Sequence, residues 1–173
     1  MRPFLSALAL AALISAPAFA QTKMDNDEAS AMKQVAQSNL NEIAAGKVAA
    51  SKAQSPDVKS FGQKMVDDHT QMLKDLQALA KQKGVVLPEG AAAKDMAQMK
   101  LMERKSGAEF DREYMEHMVK DHEKDLKDLE SIAGKAKDAD FRAALQKATP
   151  KVREHLAQAQ RLAQGAAAGS SKK

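Results

Sequence analysis

Three of the chain's four histidines sit in patterns that could do chemistry. Met65-Val66-Asp67-Asp68-His69 runs on to Leu73-Lys74-Asp75-Leu76 and Ala80, and Met118-Val119-Lys120-Asp121-His122 runs on to Leu126-Lys127-Asp128-Leu129 and Ala133. At a constant offset of 53, nine of sixteen positions are identical, and Phe61 faces Tyr114 as a further aromatic match. A third acidic-His pair, Glu154-His155, follows on a later segment. Three imidazoles from three helices make a donor set for a transition metal, and Glu42 on an earlier apolar stripe adds a carboxylate.

The elements that must position these groups read as helices throughout, because helix formers dominate and β-branched runs are absent. Helix 1 is expected at about residues 27–53, with the stripe Met32, Val35, Glu42 and Gly46. Helix 2 runs over about 56–83, with Ser55 as cap, Pro56 at the first helical position and Gly84 beyond the end. Its stripe is Val58, Phe61, Met65, His69, Met72, Leu76 and Leu79, the alternating four- and three-residue seam of a bundle helix. Residues 85–93, with Pro88 and Gly90, suit a crossover linker between two hairpins. A third helix is expected in two pieces, 94–104 and 109–133, interrupted or kinked at Gly107 and closed by Gly134. Asp138 or Asp140 can cap a fourth helix running to about Gln164. Its stripe is Phe141, Leu145, Ala148, Val152, His155, Ala159 and Leu162, and Pro150 removes one of its hydrogen bonds.

Short connections make each hairpin antiparallel, so distances from the turns become heights. At 1.5 Å per residue, Glu42 is roughly 17 Å from the end of helix 1 and His69 roughly 20 Å from the start of helix 2. His122 and His155 come out at roughly 18 and 26 Å from their own turn. The expected fold is an all-α, up-down four-helix bundle in which Glu42, His69, His122 and His155 converge near mid-height.

Two readings of that convergence stay open. A metal site compensates the buried carboxylate, with imidazole and one carboxylate suiting Zn²⁺, Fe²⁺ or Mn²⁺. Alternatively, Glu42 accepts hydrogen bonds from histidines in a neutral polar layer that sets helix register. Asp68 and Asp121 each precede a histidine by one residue, about 100° round the helix, and are either partners that orient a histidine on a neighbouring helix or solvated flanks. Glu154 reads as a solvated flank. Met65, Met72 and Met118 share faces with His69 and His122, which admits Cu(I). Methionine at helical spacing is also the natural filler of an aromatic-poor core, and the copper reading ranks below the others. His117, with Glu113 and Asp121 four residues to either side, reads as a solvated ion-pair histidine.

Composition excludes other classes. There is no cysteine, hence no disulfide, thiolate ligand or cysteine nucleophile. Lys and Arg outnumber Asp and Glu by 27 to 23 with the signs interspersed, and one Tyr with no Trp gives no stacking platform for nucleic acid. Hydrolase motifs are absent from the chain. Residues 1–20 read as a secretory signal, with Arg2, an apolar run from Leu5 to Ile14, and cleavage after Ala20. The mature protein is expected in a bacterial periplasm, with no membrane-spanning segment, a bundle over 21–165 and a disordered tail over 166–173.

The chain resembles the bacterial ferritin-like family catalogued as domain-of-unknown-function family 4142, often labelled putative outer membrane protein. The resemblance rests on Asn41-Glu42-Ile43, on Phe61 with Met65-Val66-x-Asp68-His69, on Gly107-x-x-Phe110-Asp111-x-x-Tyr114 with Asp121-His122, and on Pro150 with His155. It implies a ferritin-like bundle in the cell envelope, possible outer-membrane association, and no established activity. Di-iron ferritins carry Glu-x-x-His on two helices, whereas the residues three before His69, His122 and His155 are Val66, Val119 and Val152. The expectation is therefore a non-enzymatic periplasmic bundle holding one metal ion. A metal-dependent oxidoreductase and a structural or partner-binding envelope protein are its rivals, and an envelope partner and self-association both stay open.

Overall fold

A computed structural model describes residues 24–170, with side chains to residue 165, so the expected signal segment and the last three residues of the expected disordered tail lie outside the described residues. The described chain is helical: α1 (Asn26–Lys52), α2 (Pro56–Lys83), α3 (Ala93–Met102), α4 (Gly107–Lys135) and α5 (Ala139–Ser170). No helix among them is long and apolar enough to cross a membrane. The ends follow local chemistry. Asp25 accepts from Glu28 N to start α1, and Ser55 with Pro56 starts α2. Gly84 takes φ 69° and lets Val85 N reach the Ala80 carbonyl, while Asp138 accepts from Phe141 N at 2.9 Å to start α5.

The four long helices pack as two antiparallel hairpins, α1 with α2 and α4 with α5, and polar contacts set how the hairpins face each other. Gln34 donates to Asp128 at 3.0 Å and Ser38 donates to Asp125, so α1 and α4 run antiparallel. Lys147 meets Asp75 at 2.9 Å and His155 meets Asp68 at 2.8 Å, so α2 and α5 do too. The ends are tied reciprocally. Glu28 of α1 accepts from the amides of Lys137 and Asp138 in the α4–α5 turn, and buried Asp111 of α4 accepts from those of Gln54 and Ser55 in the α1–α2 turn. Orphan amides at helix ends thereby gain charged acceptors.

This arrangement makes α2 and α4 parallel, so the chain between them must travel back along the molecule. Residues 84–106 do so against α1, through Gln37 to the Gly90 carbonyl, Asn41 to Asp95, and Lys52 to the Glu103 carbonyl. The expected two-piece third helix is thus corrected. Its first part is a separate element, α3, which runs opposite to α4. The reversal uses residues 103–106 and Gly107, whose φ of 61° suits a residue without Cβ. Gly134 does not close α4, which continues to Lys135 and ends at extended Ala136. α5 passes through Pro150 and continues to Ser170, beyond the Gln164 end expected from its stripe.

Close approach of α1 to α2 depends on two glycines. A Cβ on Gly62 would sit 2.7 Å from Ala50 N and 2.9 Å from the Gly46 carbonyl, both backbone atoms that cannot move aside. Gly134, also helical, has nothing within 4 Å. Gly62→Ala is therefore expected to lower stability by about 1–3 kcal/mol through overpacking, although alanine is the better helix former. Gly134→Ala should raise it by about 0.5–1 kcal/mol. Urea denaturation midpoints moving in opposite directions would bear this out, and two shifts of one sign would not.

The apolar core is in two parts. One, at the α1–α2 turn, contains Phe61, Met65, Phe110, Tyr114, Met115 and Met118; the other contains Met32, Leu73, Leu76, Leu129, Phe141 and Leu145. Buried Asn39, Glu42, His69, His122 and His155 belong to neither apolar cluster. Met65 and Met118 are fully enclosed among hydrophobic neighbours, as core filler would be.

Candidate metal centre

His69 on α2, His122 on α4 and His155 on α5 bring three rings together, with centroids 5.2 to 5.7 Å apart. One ring nitrogen from each lies within 4.8 Å of the other two, and all three residues are at most 2% exposed. These three buried histidines can hold a metal ion. Sequence reasoning selected all three because each occupies its helix's apolar stripe.

Each ring is held at one nitrogen and bare at the other. His69 Nδ1 is 3.1 Å from Asn39 Oδ1, and Asn39 spends an amide hydrogen on the Val35 carbonyl at 2.8 Å, so its oxygen faces the ring as an acceptor. His122 Nδ1 lies 2.9 Å from the Met118 carbonyl, which can only accept. His155 Nε2 lies 2.8 Å from the Asp68 carboxylate. Three acceptors thus fix three tautomers with the N–H pointing outward. His69 Nε2, His122 Nε2 and His155 Nδ1 are left as buried lone pairs without a partner. An unpartnered buried acceptor costs about 1–3 kcal/mol, and three together form a donor set that a Lewis acid could use.

Burial suits the rings to ligation, since it pushes all three below the usual imidazole range. His69 is driven well below it, with His122 and His155 adding repulsion. His122 falls to about 4, again chiefly from burial. His155 is lowered by burial while Asp68 opposes. All three are neutral at pH 7. Burial works to raise Asp68, but hydrogen bonds from Lys64 and His155 outweigh it and hold that carboxyl at about 2. It is a fixed anion behind His155, and of the two readings open for it the geometry favours a residue orienting a histidine on a neighbouring helix.

Other residues singled out in the sequence fall further off. Glu42 is 3% exposed, and its Oε1 is 3.9 Å from His122 Nδ1, beyond hydrogen-bond reach and on the side of the ring already given to Met118. It hydrogen-bonds to none of the histidines and stands outside the three-nitrogen cluster. Burial, reinforced by Asp125, Asp121 and Asp95, raises its carboxyl well above the usual range, so it holds its proton more tightly than a solvated carboxyl does. Asp121 meets His117 at 3.2 Å on its own helix rather than a cluster histidine. His117 also contacts Gln98 and is only 13% exposed at its side chain, so it pairs with Asp121 as expected but is not solvated. Glu154 is exposed and pairs with Lys64, the solvated flank expected of it.

Two contributors escaped the sequence reading. Asn39 leaves a signal, a polar residue three before Glu42 on the buried face of α1. The Met118 carbonyl leaves none, because any residue supplies one. Tyr114 adds a buried hydroxyl without a partner, raised well above its usual range by burial and by nearby Glu42.

A helical bundle with three inward imidazole lone pairs, each tautomer set from behind, defines the class of protein. The family profile described as a domain of unknown function (DUF4142) matches residues 14–162, and the chain belongs to that family. No curated protein and no solved structure matches it.

Proposed function

We propose that the protein is an exported, periplasmic, ferritin-like four-helix bundle that holds one divalent transition-metal ion through His69, His122 and His155, without catalysing a reaction of its own. The observation that carries this is the trio of buried, unprotonated nitrogens with no partner. A neutral polar layer would have matched them with donors. Glu42 lies close enough to offset the cation's charge as a carboxylate, and its need for compensation supports the same reading. Three imidazoles suit Zn²⁺ foremost, then Fe²⁺ or Mn²⁺, and leave a coordination position for an outside ligand. Among the described residues no carboxylate joins the three nitrogens, so the donor set lacks the bridges of a di-iron oxidase. The four long helices and the returning 84–106 segment support the ferritin-like topology. The amino-terminal signal pattern supports export with cleavage after Ala20.

Elemental analysis tests the centre. Protein prepared without a histidine tag, reconstituted and desalted, is expected to retain about one equivalent of metal per chain. Less than about 0.1 equivalent for every ion tried would refute it.

A further inference from the structure

The cavity beside His69 contains more acid than a core layer needs. It encloses about 380 Å³ and is lined by Asp95, Asp121, Asp125 and Asp128, together with Glu42 and His69. Exposure falls across it, from Asp121 and Asp128 with side chains 41% and 36% exposed to Glu42 at 4%. The cavity thus leads from the surface to the edge of the histidine cluster.

Its charges are only partly met. Lys124 takes Asp128 at 2.7 Å and His117 takes Asp121, but Asp95 accepts from the neutral Asn41 amide and Asp125 from the Ser38 hydroxyl. Lys94 also lines the cavity. At the buried end, Glu42 Oε2 and His69 Nε2 have no partner at all. Carboxylates gathered around enclosed space repel one another, and a cation passing between them relieves that repulsion. The volume suits a cation that keeps water, since it has room for roughly a dozen molecules at about 30 Å³ each.

We propose that this cavity is a transit site for hydrated divalent cations, through which the three-histidine centre is loaded. The inference rests on the metal reading above. Ions are attracted at the rim by Asp121 and Asp128, pass Asp95 and Asp125, and reach His69 beside Glu42, exchanging water for imidazole only at the inner end. Four aspartates against Lys94 and Lys124 leave the lining net negative, and such a field raises the association rate of a cation, by about 10-fold at the low end of what a cleft of a single sign achieves, an advantage that salt removes.

Stopped-flow mixing of the apoprotein with Co²⁺, followed by the ion's visible absorption on nitrogen ligands, tests the route. The Asp95→Asn/Asp125→Asn protein is expected to load about tenfold or more slowly at low salt and with a shallower salt dependence, while still ending at one Co²⁺ per chain. Asp95→Asn alone, on α3 outside the apolar core and with an amide oxygen left to accept from Asn41, should slow loading severalfold and gives the same reading if the double variant folds poorly. Asp75→Asn removes equal charge elsewhere on the molecule and should load at the wild-type rate. Rates within twofold of wild type in the cavity variants, or equal slowing in Asp75→Asn, would overturn the route and leave the centre standing. Failure of the wild type to bind Co²⁺, Zn²⁺, Fe²⁺ or Mn²⁺ would overturn both.

Discussion

His122→Ala is expected to remove most of the metal-dependent stabilisation. At a free metal concentration 100 times the dissociation constant, the wild-type protein gains about 2.7 kcal/mol, a rise of several degrees in Tm. Removing one of three donors reduces the set to two imidazoles, and with an affinity lowered by about 100-fold or more the gain at the same metal concentration falls to about 0.4 kcal/mol or less. The metal-dependent shift is the quantity to compare, because deleting a ring that is 0% exposed also leaves a cavity and lowers the apoprotein's Tm by itself. Asp68→Asn should act more gently. The His155 ring keeps a neighbour that can accept its N–H but loses the anion behind it, and such outer partners are worth about 10- to 100-fold in affinity. Unchanged metal content in His122→Ala would remove the centre from consideration.

Acid should unfold the metal-free protein early. The unfolded chain takes up protons on histidine as pH drops below about 6.5, whereas the folded chain keeps His122 neutral until about 4 and His69 and His155 also below their usual range. Between those limits the unfolded state binds more protons, so stability is unaffected by these groups above pH 6.5 and falls as pH drops toward 4. For His122 alone the loss is on the order of 3 kcal/mol. Glu42 acts with the opposite sign. Its raised carboxyl keeps a proton that the unfolded chain releases, so its contribution is fully present below the ordinary carboxylate range and is lost from there upward, as pH rises toward its raised folded value. Glu42→Gln should therefore stabilise the apoprotein at pH 7, change little at pH 4, and steepen the acid fall. Asp68, held at about 2, supplies stability that is lost only below this window. Urea midpoints measured from pH 7.5 to 4 would expose the trend, and a flat profile would contradict it.

Much of the fold was legible because periodicity and end chemistry are local. Ser55-Pro56 and Gly84 bracket α2 as read, and the stripes of α2 and α5 predict most of their buried residues, although Leu73 rather than Met72 is enclosed. The third helix was misread because the methionines at 96, 99 and 102 keep helical spacing, and nothing local says that the chain reverses at residues 103–106. Asp111 was visible only as part of a family motif. Its use, holding the amides of a turn more than fifty residues away, is a tertiary fact.

By itself, the sequence determined that the chain is helical, that it lacks cysteine, and that His69, His122 and His155 each lie on an inward stripe, since 3.6-residue periodicity assigns faces without reference to partners. Only the tertiary structure decided which nitrogen each histidine turns inward, because that depends on acceptors brought from elsewhere: Asn39 from α1 for His69 and Asp68 from α2 for His155. It also separated Glu42 from the three nitrogens by placing it on the far side of the His122 ring. Height along a helix can be counted from the sequence, but the side of a ring that a carboxylate faces depends on how two helices are rotated against each other.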